Sequence, residues 1–217
     1  MEFLNFDKDI WNYIETHTSP EDEVLEALNL FTHRKVVHPR MLSGQVQGKF
    51  LEFISRMIQP SKILEIGTYT GYSAICLARG LKAGGKLITI EINDELSIVS
   101  EKFFKESGLA DRIELLNENA LEIIPSLEHS FDLVFIDAEK EQYSAYFDLV
   151  FPKVIPGGFI LADNTLWDGK VAFDEKYKDS ASVALREFNR KIQSDPKVEN
   201  LILPLRDGLS IIRKICN

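Results

Sequence analysis

Two carboxylates and an amide stand where short apolar runs stop. Asp137 follows Leu133-Val134-Phe135-Ile136, and Asp163-Asn164 follow Phe159-Ile160-Leu161-Ala162. If these runs are neighbouring parallel strands, about 4.8 Å apart, the three side chains converge on one point. Two carboxylates and an amide make a hard, all-oxygen set, which favours Mg2+, Mn2+ or Ca2+ over zinc. Three protein ligands leave about half an octahedron open, enough for two adjacent oxygens of an acceptor and a water. A cation there lowers the pKa of a bound hydroxyl and fixes the position of its oxygen. Lys140, three residues beyond Asp137, is then a candidate general base, its pKa lowered by the nearby cation. Spacing alone leaves plainer alternatives open. Asp and Asn are common at strand ends and turns, and Lys140 can be a solvated partner of Asp137 or Glu141.

A second constellation is the run Ile63-Leu64-Glu65-Ile66-Gly67-Thr68-Tyr69-Thr70-Gly71-Tyr72-Ser73. Its glycines let a chain leaving a strand turn sharply and let a ligand lie against the backbone. The spacing is G-x-x-x-G rather than G-x-G-x-x-G, so provision for a dinucleotide pyrophosphate is weak, and Glu65 would repel a phosphate. An acid in the turn suits a cationic cofactor carrying an amino group or a sulfonium. Glu91 ends the next apolar run, 26 residues after Glu65, where a carboxylate can accept both ribose hydroxyls. The alternative is a shaped turn flanked by solvated strand-end acids.

These positions require a particular frame. From Pro60 onward, short apolar runs alternate with amphipathic segments: Lys62–Ile66, Lys86–Ile92, Arg112–Leu116, Phe131–Asp137 and Phe159–Asp163 as strands, with helices between them. That alternation predicts βαβ units on a parallel sheet, with ligands beyond the carboxyl ends of its strands. Leu201–Leu205 and Leu209–Ile215, joined by Arg206-Asp207-Gly208, predict a tight antiparallel hairpin closing the sheet. Residues 1–60 read as a helical cap on a core of residues 61–217. One helix start is Ser19-Pro20-Glu21-Asp22-Glu23, with Ser19 as hydroxyl cap and a Val24, Leu28, Phe31 stripe, and another helix opens near Ser43 with Val46, Phe50, Phe53 and Met57.

Taken in order, Leu64–Ser73, Phe135-Ile136-Asp137-Ala138-Glu139-Lys140 and Ala162-Asp163-Asn164-Thr165-Leu166-Trp167 resemble the cation-dependent class I O-methyltransferases, which include caffeoyl-CoA and catechol O-methyltransferases and short bacterial relatives. The resemblance runs from about Arg40 to the C-terminus, and the first forty residues match only loosely. It implies a single Rossmann-like α/β domain: a seven-stranded, mostly parallel sheet with a C-terminal antiparallel hairpin and helices on both faces. It implies S-adenosylmethionine as cofactor, with Glu65, Gly67, Tyr69 and Ser73 around its methionine end, Glu91 at its ribose and Ala120 at its adenine. Met41 would close over the cofactor. Asp137 would serve cofactor and metal, Asp163 and Asn164 would complete the metal site, and Lys140 would take the family's catalytic position.

The surroundings concern the acceptor. Residues Thr165–Ser180 form a long loop whose Trp167 can cover a flat aromatic acceptor or pack against the sheet edge. His33, Arg34, Lys35, His38 and Arg40 crowd eight positions of a chain whose formal net charge is −9. They are either a solvated helix end or an anchor for a phosphate-bearing acceptor, such as a CoA ester or a tRNA with a hydroxylated uridine. The acidic balance argues against broad nucleic-acid coating. Two cysteines 140 positions apart, Cys76 and Cys216, predict neither a disulfide framework nor zinc. No apolar run reaches bilayer length, and Met1–Asp7 lack a secretion signal's pattern, so a cytoplasmic protein is expected. There is no internal repeat or low-complexity tract. The helical stripes before Pro60 and the hairpin edge suit a homodimer. Two other functions compete with a methyl transfer: a non-catalytic cofactor-binding module, and, less well supported, a nicotinamide dehydrogenase.

Overall fold

Unbroken apolar runs flanked by glycine and proline build the sheet, and a computed structural model describes it over residues 8–216. The N-terminal expectation for residues 1–7 lies outside these. In chain order the elements are α1 (Lys8–Thr16), α2 (Glu23–Lys35), α3 (Gly44–Ile58), β1 (Lys62–Ile66), α4 (Tyr72–Ala78), β2 (Lys86–Glu91), α5 (Asp94–Glu106), β3 (Ile113–Asn117), α6 (Ala120–Ile123), β4 (Phe131–Ile136), α7 (Tyr143–Val150), β5 (Val154–Ala162), α8 (Ser180–Ser194), β6 (Val198–Leu203) and β7 (Leu209–Lys214). The sheet order is β3-β2-β1-β4-β5-β7-β6, parallel from β3 to β5 and antiparallel at β7 and β6. This is the expected seven-stranded architecture. No described helix is long and apolar enough to cross a membrane.

Alternate residues of the central strands face two separate cores. Leu64, Val134 and Ile160 pack with Tyr143, Phe147, Leu185 and Phe188 of α7 and α8. Ile63, Leu133 and Leu161 pack with Leu28, Leu51, Ile75 and Phe103 of α2 to α5. Each such side chain stabilises the fold by about 1.5–3 kcal/mol. Leu133 to Ile136 are all fully buried, as a central strand covered on both sides requires.

Three local expectations need correction. First, α2 starts four residues after Ser19: Asp22 caps it, its Oδ1 accepting from Leu25 N at 3.0 Å. Glu21 is drawn away to accept from Asn29 Nδ2 and from the Tyr72 hydroxyl. Second, the α3 stripe is turned half outward, although Phe50 packs partly buried against the core. Phe53 and Met57 are exposed, whereas Gln47, Gly48, Leu51, Glu52 and Ser55 face inward. The reason is close contact with α4: a Cβ on Gly48 would meet the Tyr72 ring at 2.5 Å, and Ser55 Oγ donates to Leu77 O at 2.6 Å. Small and polar residues therefore take the face that hydropathy would give to Phe and Met. Third, the terminal hairpin has a five-residue loop, Pro204 to Gly208, because pairing stops at Leu203 and Leu209. The loop instead holds the exit of β5, with Thr165 N donating to Gly208 O and Leu166 N to Asp207 O.

Candidate active site

The chain diverges from the centre of the sheet, since β1 and β4 are neighbours while β2 and β5 lie on their outer sides. Such a switch point opens a crevice beyond the carboxyl ends of the strands. Gly67, at φ +97°, lets the two exits touch: a Cβ there would collide with Asp137 O. Gly67 N and Thr68 N donate to Ile90 O, and Asp137 N donates to Ile66 O, so three strand ends are tied together. A cleft opens above them, bounded by Met41, Gly67, Tyr69, Ser73 and Asp137 among others. Five of the expected cofactor residues are thus gathered in one place.

Glu65, two residues before Gly67, is fully buried and does not itself line the cleft. Its Oε2 accepts from Thr89 Oγ1 at 2.5 Å, while Oε1 has no hydrogen-bond partner. Burial pushes its carboxyl up to about 8, against the pull of the Ser73 and Thr89 hydroxyls and with the help of Asp137 and Glu91. A buried oxygen without a partner is costly and uncommon, and a ligand's donor would satisfy it. Glu91 is committed differently: Oε2 accepts from Tyr69 N at 2.8 Å and Oε1 from Asn93 N at 3.0 Å. It shapes the turn as well as facing the crevice side of β2. Ala120 is buried at the start of α6, after β3, and is not among the residues lining the cleft.

Asp137 and Asp163 come together at the ends of β4 and β5, with Asn164 next in the chain. Ile136 pairs with Ala162, and Asp163 N donates to Ile136 O at 3.0 Å, so Asp137 and Asp163 leave the sheet side by side. Asp163 is 2% exposed. Its Oδ2 accepts from Gln47 Nε2 at 2.7 Å and its Oδ1 from Asn164 N at 2.8 Å. Burial, then the charge of Asp137, raises its carboxyl to about 6, with Gln47 and Arg206 opposing. Asn164 adopts φ 57°, a left-handed turn that asparagine tolerates. Among the described residues no three His, Cys, Asp or Glu side chains cluster as a metal site, so a cation here depends on the asparagine as third ligand. Two like-charged carboxylates crowded at low exposure with an amide beside them fit a hard divalent cation.

Lys140 occupies a short turn after Asp137. Its Nζ donates to Asp137 Oδ1 and to the Tyr143 hydroxyl, both at 2.9 Å. Burial alone would lower its pKa, but Asp137 and Tyr143 outweigh that and raise it. With these partners the ammonium form is favoured, and the downward shift expected of Lys140 beside a cation belongs to the cation-loaded site. Tyr143, unforeseen from sequence, is fully buried and donates to Asp163 O at 3.0 Å while accepting from Lys140, which joins the ends of β4 and β5. Its spacing of three from Lys140 was the available signal. Gln47 and Arg206 were equally unforeseen; a glutamine inside an apolar helical stripe was the only hint.

The loop after β5 is held in place. Trp167, Asp168 and Gly169 are consecutive left-handed residues, and Trp167 packs partly buried against the α7/α8 core. Arg186 of α8 donates to Tyr177 O at 2.8 Å and pairs with Asp174 at 3.3 Å. On the opposite rim, His33, Arg34, Lys35, His38 and Arg40 are all exposed. The Tyr69 hydroxyl donates to Val37 O at 3.1 Å and ties this basic segment to the cleft.

A family model described as O-methyltransferase matches residues 15–215. A catechol O-methyltransferase of Niastella koreensis is 34% identical over 85% of this chain and 84% of its own length. A caffeoyl-CoA O-methyltransferase of Eucalyptus gunnii is 32% identical over 95% of this chain and 87% of its own. Among solved structures, an O-methyltransferase from Bacillus cereus in complex with SAH superposes with a TM-score of 0.87 at 30% identity, covering 94% of this chain and 96% of that one. A family match over nearly the whole sequence, joined to a sheet order and crevice of the same kind, makes the chain a member of the class I O-methyltransferases.

Proposed function

We propose that the protein transfers the sulfonium methyl of S-adenosylmethionine to one hydroxyl of a catechol-like or caffeoyl-type aromatic, with a divalent cation, Mg2+ first and Mn2+ or Ca2+ as alternatives. The observation that carries this reading is the partnerless Glu65 oxygen, buried two residues before Gly67 of the cleft whose wall includes Asp137, with Asp163, Asn164 and Lys140 near Asp137. Glu65 offers its free oxygen to the cofactor's cationic methionine end, and Gly67 lets that end lie against the backbone. Asp137, Asp163 and Asn164 would hold the cation, which when bound supplies Lewis acidity that favours the phenolate form of the acceptor. Lys140 brings a fixed positive charge toward the oxygen that must lose its proton; it acts as a base only in its neutral form, so a base role predicts turnover rising at alkaline pH.

The test is turnover with labelled cofactor on catechols and CoA esters, with and without EDTA. Methylation that collapses on chelation is expected, and turnover indifferent to chelation removes the cation. Lys140→Met should retain SAH binding yet lose about a hundredfold or more in turnover. Unchanged turnover removes Lys140 from the reaction, and partial activity in Lys140→Arg favours fixed charge over proton transfer.

The exposed basic rim supports a second acceptor class, a phosphate-bearing CoA ester or a tRNA hydroxyuridine. Phosphate contacts weaken steeply with salt. Binding to either that falls between about 50 and 200 mM salt, and more so in an Arg34/Lys35/Arg40 alanine variant, selects this class. A homodimer would use the outward Phe53–Met57 face of α3, with sedimentation of a Met57→Glu variant as its check.

A further inference from the structure

Arg206 and Gln47 lie 159 positions apart, yet together they connect Asp163 to the 40–43 wall of the cleft. Arg206 sits on the hairpin loop in a left-handed conformation, φ 49°, uncommon for a long side chain. Its Nη1 donates to Ser43 O at 2.7 Å and to Gln47 Oε1 at 2.8 Å, and its Nη2 donates to Arg40 O at 3.1 Å. One guanidinium therefore clips both ends of the segment that carries Met41 and Leu42 along the cleft. Gln47 is 1% exposed. Because arginine only donates, the Gln47 oxygen must face it, which leaves the Gln47 N–H to donate to Asp163 Oδ2 at 2.7 Å. The chain guanidinium, amide, carboxylate has no slack and no alternative orientation.

We propose that Arg206 and Gln47 are positioning residues that fix the Asp163 carboxylate and the 40–43 wall of the cleft against one another, so that a divalent cation and the cofactor strengthen each other's binding. The proposal rests on the reading of Asp163 as a cation ligand. Outer partners of metal-binding carboxylates set ligand orientation, and their loss typically weakens metal affinity about 10–100-fold. Any strengthening of one ligand by the other must be reciprocal.

The probes are Mn2+ and SAH, each titrated calorimetrically with and without the other, on wild type, Gln47→Leu and Arg206→Ala. In wild type, saturating SAH should tighten Mn2+ about fivefold or more. Gln47→Leu should weaken Mn2+ about tenfold and bring that enhancement close to one, while SAH alone binds within about twofold of wild type. Arg206→Ala should weaken both ligands and abolish the enhancement. If Arg206→Ala does not fold, Gln47→Leu carries the test, since it keeps the two backbone contacts of the guanidinium and its SAH affinity reports folding. Mn2+ binding without enhancement in wild type, or enhancement that survives in Gln47→Leu, overturns the strut and leaves the cation site standing. Wild type that takes up no Mn2+ overturns the cation site and the strut with it.

Discussion

Replacing Glu65 by Gln should make the ligand-free protein more stable at alkaline pH and a poorer binder. The folded carboxyl titrates at about 8 and the unfolded one at the ordinary 4.5. Between those values the folded state holds a proton that the unfolded state has lost, so stability falls as pH rises through this window. From about pH 6 to pH 9 the loss works out at about 2.5 kcal/mol, since nearly all of it accrues below about pH 8.5. For a domain of this size that is roughly 5–10 °C in Tm. The substituted amide keeps the shape and the acceptor for Thr89 but cannot ionise.

The assay is thermal unfolding of both proteins in steps across the same pH range, with Glu65→Gln subtracting every other titration. The wild-type curve should drop relative to the variant by that amount. SAH affinity, measured calorimetrically near pH 8, should move the opposite way and weaken about tenfold or more, the worth of a hydrogen bond to a charged group. Parallel melting curves would refute the buried charge. Diverging curves with unchanged SAH affinity would refute the cationic ligand at Oε1, while leaving the electrostatics intact.

Two further substitutions probe the frame. Gly67→Ala places a Cβ against Asp137 O at a left-handed position and should destabilise by about 3–5 kcal/mol, whereas Gly84→Ala, equally left-handed at φ +74° but with open space around it, should cost about 1 kcal/mol; urea unfolding compares them. Tyr143→Phe removes the hydroxyl shared by Lys140 and Asp163 O, and is expected to lower stability by about 1–3 kcal/mol and turnover with it, leaving SAH binding unchanged; a variant with full turnover excludes a positioning role for that hydroxyl.

The sheet was legible because each central strand is an apolar run that no other element competes for: Leu133 to Ile136 cannot be placed anywhere but under two layers. The convergence of Asp137 and Asp163 was legible for the same reason, since a parallel sheet sends both to one edge once the register is right. What was not legible depends on contacts distant in sequence. Nothing near Gln47 announces Asp163, 116 positions away. The outward turn of Phe53 and Met57 follows from the closeness of α4, which hydropathy does not encode. The Asp207-Gly208 pair signalled a tight turn, but the loop is longer because its carbonyls are needed by Thr165 and Leu166. The hold of Asp137 and Tyr143 on Lys140 was not legible either, because burial and two partners oppose one another, and only their distances decide between them.

The two edges of the sheet divide stability from chemistry. At the edge where β1, β4 and β5 begin, polar groups are satisfied: Asp132 Oδ2 accepts from Ser61 N and Lys62 N, both at 2.9 Å, and the buried Lys214 Nζ donates to Phe151 O and Val154 O. At the opposite edge lie the partnerless Glu65 oxygen and the crowded Asp137–Asp163 pair. Six of the seven described non-glycine residues with positive φ gather there as well: His38, Tyr69, Asn164, Trp167, Asp168 and Arg206. Each left-handed residue costs about 1–2 kcal/mol and persists only because its surroundings over-determine it. Strain at one edge is therefore carried by the well-paired edge and the two cores, which is what a site held rigid before its ligands arrive requires. Weakening the satisfied edge, as in Asp132→Ala, should lower unfolding stability without changing SAH affinity below the melting transition; the edge that carries the chemistry should respond in the reverse sense, as Glu65→Gln does.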